Sequence, residues 1–146
     1  MTTTSYRKPL PQVSEENRPF WDGLRQHEFR APRCRACGQF GWVPFPACRN
    51  CLSDDIEWVP LSGQGVIFSY SIVHRGPGGF ADDVPYVLVL VEMAEKPQPM
   101  LVMANLVDCP LDRVQIGLAV QVVFDDIEGE GVTLYRFAPR DGGSGA

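Results

Sequence analysis

Long apolar runs are missing from this 146-residue chain: no stretch approaches the roughly 20 residues needed to span a bilayer as a helix. The opening MTTTSYRKPLPQ carries no apolar core of the secretory-signal kind, so a cytoplasmic location is the expectation. Histidine is scarce. The two present, His27 and His74, stand in no local Cys/His or Ser/His/Asp pattern that would mark a nucleophile and its base. Phosphate-binding loops are absent as well, because the GPGG at 76–79 is not expected to open a helix whose dipole would hold an anion. Basic residues thin out beyond position 51. Residues 52–146 hold five Lys/Arg against fourteen Asp/Glu, a balance of −9, which argues against a polyanion groove in that part. The first 51 residues hold eight against four, and Arg25, Arg30, Arg33, Arg35 and Arg49 lie among them. Solvated arginines are the simpler reading; contact with an anionic ligand or an acidic partner is the other.

Cysteine, in contrast, is concentrated. Cys34, Cys37, Cys48 and Cys51 form a Cys-x2-Cys-x10-Cys-x2-Cys array. Each CxxC turns two thiolates toward one point, and two such knuckles complete a tetrahedral all-sulfur site. Zn2+ suits that ligand set, and four protein ligands leave no position for a reactive water, so the ion is structural. A disulfide or redox pair is the alternative, disfavoured without a secretory signal. Cys109 stands apart and reads as a small, at least partly buried side chain.

The rest of the chain divides by pattern. Residues 1–13 read as a flexible arm, 14–58 as a helix followed by a zinc ribbon, 59–138 as a barrel, and 139–146 as a polar tail. Ser14 or Asn17 can cap a helix running to about His27, with Pro19 tolerated in its first turn. Phe20, Trp21 and Leu24 share one face of it. The spacer between the knuckles adds Phe40, Trp42, Val43 and Phe45. A ribbon has little interior, so these aromatics either cover the rest of this chain or meet another subunit; Phe20, Trp21, Trp42 and Phe45 are the interface candidates.

Strand patterning begins at Gly63. Residues 66–72, 84–93, 100–107, 119–124 and 132–137 read as five strands, with 84–93 (VPYVLVLVEM) apolar on both faces and therefore central. Turn residues at 76–79, 95–99, 117 and 128–131 separate them. Five short strands without a long helix predict a mainly β protein with a Greek-key barrel of the OB type. Asp82–Asp83 and Asp125–Asp126 fall in expected loops and read as solvated carboxylates. The GPGGF loop region, with His74, Arg75 and Phe80, is the candidate for lying near a substrate.

PFWDGLRQHEF, CRACGQFGWVPFPACRNC, EWVPLSGQGVIFSYSIVH, Pro85-Tyr86 and GLAVQVVF occur in that order. Together they resemble a family of zinc-ribbon plus OB-fold domains of unknown function, over about residues 19–137. The resemblance implies a rubredoxin-like ribbon, an OB barrel and an association with acyl-CoA metabolism. Family members work beside thiolase-superfamily enzymes, some in aldolase complexes that shorten the steroid side chain. There the partner carries the catalytic residues and the ribbon/OB protein stabilises it. The expectation is an accessory subunit without a catalytic set, completing a thiolase-like retro-aldolase that cleaves a steroid-derived acyl-CoA thioester, with acyl-CoA at a shared site. An independent acyl-CoA-binding protein and, less favoured by the acidic barrel, a single-stranded nucleic-acid-binding module are the alternatives.

Overall fold

The computed structural model of the protein describes residues 8–42, 46–95 and 100–140. Phe45 and Val43 of the spacer therefore lie outside the described residues, as do residues 1–7 of the arm and 141–146 of the tail.

The first helix, α1 (Arg18–Arg25), begins directly after Asn17, one of the two expected cap positions, and stops two residues before His27, where it was expected to end. Asn17 turns its side chain backwards, where Oδ1 accepts the Ser14 N–H at 2.6 Å, so it does not cap the helix. Its carbonyl instead accepts the Phe20 N–H at 3.0 Å. At the other end, Glu28 N–H donates to Gly23 O and His27 N–H to Leu24 O, both at 2.8 Å, with His27 in the left-handed region at φ 58°. That is a Schellman stop, here made by a histidine where glycine is usual. Gly23 sits where a Cβ would lie 2.7 Å from Arg30 Cδ and 2.9 Å from Glu28 O, so the turn folds back over a residue that has to be small.

The chain then enters β1 (Arg30–Cys34), which pairs antiparallel with β2 (Ile56–Pro60) across the spacer and both knuckles. Five strands follow: β3 (Gln64–Val73), β4 (Tyr86–Met93), β5 (Leu101–Leu106), β6 (Ala119–Ile127) and β7 (Val132–Pro139). They close into a barrel in the order β3-β4-β5-β7-β6, completed by the β3–β6 pairing, as the OB expectation requires. β3 serves two neighbours because it bends. Its register against β4 shifts between Ile67 and Ser69, a bulge at Phe68, and its first three residues turn onto β6.

Inside the barrel lie alternate residues of each strand, including Ile67, Val89, Val91, Val102, Val120 and Phe137, all fully buried. β4 pairs on both sides, as its apolar character predicts, but only Val87, Val89, Val91 and Met93 are buried; Leu88 and Leu90 on the outer face keep part of their surface. Two corrections to the sequence reading arise here. Asp125 and Asp126 belong to β6, which runs three residues further than expected. Asp82 and Asp83 end a short 3-10 helix, Gly78–Asp83, which begins within the GPGG segment and is too brief to act as an anion-binding helix.

Ribbon and barrel share one core. Phe20 and Leu24 of α1, Phe29 and Ala31 of the ribbon, and Phe137 of β7 belong to a single buried cluster. Phe29 touches the barrel residues Tyr135 and Phe137, with ring centroids 5.2 and 6.1 Å away.

Candidate metal centre and its surroundings

The two knuckles are built alike. In the first, Gly38 N–H donates to Cys34 O at 2.8 Å and Cys34 N–H to Gln39 O at 2.8 Å. In the second, Leu52 N–H donates to Cys48 O at 2.8 Å and Cys48 N–H to Ser53 O at 2.7 Å. The residue after each second cysteine must adopt positive φ to close the turn: Gly38 at 82°, Leu52 at 64°. Glycine takes that conformation freely, whereas for leucine it costs about 1–2 kcal/mol.

Turns of this shape bring four sulfurs together. Cys34 and Cys48 are buried, and the four Sγ atoms lie within 4.8 Å of one another. Cys34 Sγ is 3.6 Å from Cys51 Sγ, and Cys37 Sγ is 3.6 Å from Cys48 Sγ. These separations are too long for disulfides and match the edge of about 3.8 Å expected of a tetrahedron with Zn–S bonds of about 2.3 Å. Asn50 N–H points at Cys48 Sγ, 3.3 Å away, a donor suited to a thiolate.

Proton affinities within the cluster are split. A backbone hydrogen bond from Gln39, then the Asn50 side chain, lower Cys37 to about 6. A backbone bond from Ser53 pulls Cys51 the same way, but hydrogen bonding to Cys34, burial and the other sulfurs raise it to about 12. Four thiols this close cannot all ionise without a cation between them. The donor set therefore fits a structural zinc ion held by Cys34, Cys37, Cys48 and Cys51, and binding it releases protons.

Around this centre the aromatics expected at an interface fall into two groups. Phe20 is buried and packs against Trp21, Phe29, Trp42 and Tyr135, with centroids between 5.0 and 5.8 Å. Trp42 reaches Phe29 at 5.2 Å and Tyr135 at 6.1 Å. These rings form a seam between helix, ribbon and barrel. Trp21 and Trp42 are half-buried and keep part of their surface; Phe20 has almost none to offer a partner. Burial in this seam pushes the Tyr135 phenol up to about 12, while its O–H donates to Met103 O at 3.0 Å.

His74 and Arg75 are exposed just beyond β3. Phe80 is separate from them: its ring lies tilted against Tyr86 with centroids 5.8 Å apart, and it lines two adjoining clefts of about 250 and 270 Å³ with Lys8, Asn105 and Arg136. Neither His74 nor Arg75 lines those clefts. Lys8 pairs with Asp83, and Arg136 holds Asp125 Oδ2 at 2.8 Å. Lys8, Asn105 and Arg136 were not legible as neighbours of Phe80, because three separate chain segments converge there. His27, lone in the sequence, stacks on Phe124 at 4.8 Å and meets Asp126.

With this geometry in place, comparison with known proteins places the chain. The family model for the ChsH2 rubredoxin-like zinc ribbon domain matches residues 21–57, and that for the ChsH2 C-terminal OB-fold domain matches 58–125. A DUF35 domain-containing scaffold protein of Methanocaldococcus jannaschii is 33% identical over 113 residues, 73% of this chain and 78% of that protein. The 3-oxo-4,17-pregnadiene-20-carboxyl-CoA hydratase alpha subunit of Mycobacterium tuberculosis is 34% identical over 90% of this chain, which spans 40% of that subunit's length. The benzoylsuccinyl-CoA thiolase subunit BbsA of Thauera aromatica is 28% identical, with 72% of each chain covered. Among solved structures, a chain of the Ltp2-ChsH2(DUF35) aldolase superposes with a TM-score of 0.78 at 30% identity, over 89% of this chain and 98% of that one. Knuckles, barrel and relatives agree, and the chain belongs to the DUF35 family of ChsH2-type zinc-ribbon plus OB-fold proteins.

Proposed function

We propose that this chain is an accessory subunit that binds and stabilises a thiolase-superfamily partner, and that the pair is a retro-aldolase acting on a steroid-derived acyl-CoA thioester. The observation that carries the reading is the match to the Ltp2-ChsH2(DUF35) aldolase, since this chain covers 98% of the matched chain and so corresponds to that module throughout. The thiolase subunit BbsA supports a thiolase-like partner, and the pregnadiene-carboxyl-CoA hydratase subunit supports a steroid thioester.

The chemistry of the site agrees with this division of labour. Zinc held by four thiolates keeps no position for substrate, so it holds the knuckles and activates nothing. The seam of Phe20, Phe29, Trp42 and Tyr135 fixes ribbon to barrel, and a rigid module suits a subunit that presents a surface. The exposed parts of Trp21 and Trp42 belong to that surface in this reading. Acyl-CoA at the shared site would meet the Phe80 cleft, where Lys8 and Arg136, each also paired with an aspartate, lie beside apolar Leu88 and Met103; His74 and Arg75 border the same region of sequence.

Affinity purification of the tagged chain from its source cells, after nuclease treatment, tests the proposal. A thiolase-superfamily protein recovered in stoichiometric amount supports it. Recovery of nucleic-acid-binding machinery alone refutes it. Tight binding of acyl-CoA by the chain with no partner would instead favour an independent carrier.

A further inference from the structure

Leu52 combines two properties that rarely coincide. It is held at φ 64°, a conformation that leucine adopts only under constraint, and its side chain is 78% exposed. A strained residue is normally retained because contacts within the fold over-determine it. Here the side chain has little such contact, so the fold itself gains almost nothing from choosing leucine.

The other knuckle supplies an internal control. Gly38 occupies the matching position, makes the matching N–H bond and has the matching positive φ. A Cβ at Gly38 would meet only Arg33 Nη2, 3.9 Å away, so glycine stands there for its backbone freedom and not for lack of room. The two turns thus need the same backbone, and only one carries a large apolar side chain. The surrounding tip, Arg49, Asn50, Cys51, Asp54 and Asp55, is exposed as well.

Resting on the accessory-subunit reading, we infer that Leu52 is a docking residue, seated in an apolar pocket on the partner subunit. The occupant is a protein pocket and not a bilayer. Among the described residues Leu52 is the one large apolar side chain exposed on this tip, whereas membrane binding needs a broad apolar face. The charges beside it are mixed, Arg49 against Asp54 with Asp55 paired to Arg35. A protein pocket can enclose one leucine completely and answer the exposed Arg49 and Asp54 with opposite charges at its rim. Cys48 and Cys51 anchor the chain just before Leu52 and the Cys48 N–H bond to Ser53 O holds it just after, so little is lost in ordering the tip on binding.

Leu52→Gly and Leu52→Asn test this, since both replacements tolerate the left-handed backbone. The measurements are zinc content and thermal midpoint of the isolated chain, and its Kd for the purified partner subunit. The inference expects zinc content to be retained in both variants and the midpoint of Leu52→Gly to be equal or higher. It expects Kd to weaken by about tenfold or more, the range of an interface anchor. Wild-type affinity in both variants overturns the inference while leaving the accessory-subunit reading in place. A wild-type chain that binds no thiolase-superfamily subunit overturns both.

Discussion

His27 and Asp126, 99 positions apart, meet at the junction of ribbon and barrel: His27 Nε2 lies 3.1 Å from each oxygen of the Asp126 carboxylate. The same imidazole stacks on Phe124, and the same carboxylate accepts the Thr133 hydroxyl at 2.6 Å. A residue that ends α1 therefore also ties the helix to the β6–β7 hairpin. Both side chains of the pair are about half or more exposed, so the link orients more than it stabilises.

His27 has two separable roles, and substitutions can part them. Its backbone closes the helix at φ 58°, and its side chain makes the tie. His27→Gly keeps the first role and loses the second; His27→Ala loses both. We expect His27→Ala to be the less stable by about 1 kcal/mol in denaturant unfolding, because glycine occupies the left-handed region without penalty. Equal stability would show that the Schellman turn relaxes when the side chain is removed.

Acid should weaken the same junction. The Thr133 hydroxyl, then His27, hold the Asp126 carboxyl below its ordinary range. Its contribution is therefore complete above the unfolded carboxylate value of about 3.9 and disappears as pH falls through the lower folded value. Asp126→Asn should accordingly be less stable than the parent at neutral pH, with the difference closing at acid pH. A difference independent of pH would mean that geometry, not charge, sets the effect.

At the alkaline end, Tyr135 is the sensitive group. Burial raises its phenol to about 12, above the unfolded value of about 10. The stability it contributes is complete below the unfolded value and is lost as pH rises through the folded one. Ultraviolet titration of the native protein should show a late-ionising tyrosine phase, and Tyr135→Phe should remove it. Absence of a late phase that depends on Tyr135 would place its phenol in solvent.

Zinc should carry the ribbon. Structural zinc binding supplies on the order of 10–16 kcal/mol of apparent free energy near neutral pH. Cys37→Ser or Cys48→Ser should abolish stoichiometric zinc and unfold residues 14–58, read as loss of amide dispersion and of hydrogen-exchange protection in β1 and β2. Because Phe29 also packs on Phe137, barrel stability should fall with it. A zinc-free variant that keeps a folded ribbon would contradict the assignment.

What the sequence made legible was whatever its local pattern encodes. Two CxxC knuckles, alternating strands and an apolar β4 are periodic features, and each stands where it was expected. Missing were the relationships made only by closure of the chain. Asp125 and Asp126 look like turn residues, yet Arg136 and His27 engage them one on each side, which lets β6 continue to Ile127. Phe20 and Trp42 stand apart in the sequence, and only the placement of β7 brings Tyr135 against both. Leu52 did have a local signal: it stands where the first knuckle has Gly38, and superimposing the two Cys-x2-Cys-x segments reveals it.

Catalysis by the partner, completed by this chain, is the claim at the centre of the account. It is tested most directly by assaying carbon–carbon cleavage of a steroid-derived acyl-CoA thioester with this chain alone, the purified thiolase-superfamily subunit alone, and both mixed. The account predicts cleavage by the mixture, none by this chain, and a partner that without it is inactive or quickly inactivated. Cleavage by this chain alone, or a partner equally active and stable without it, would contradict the account.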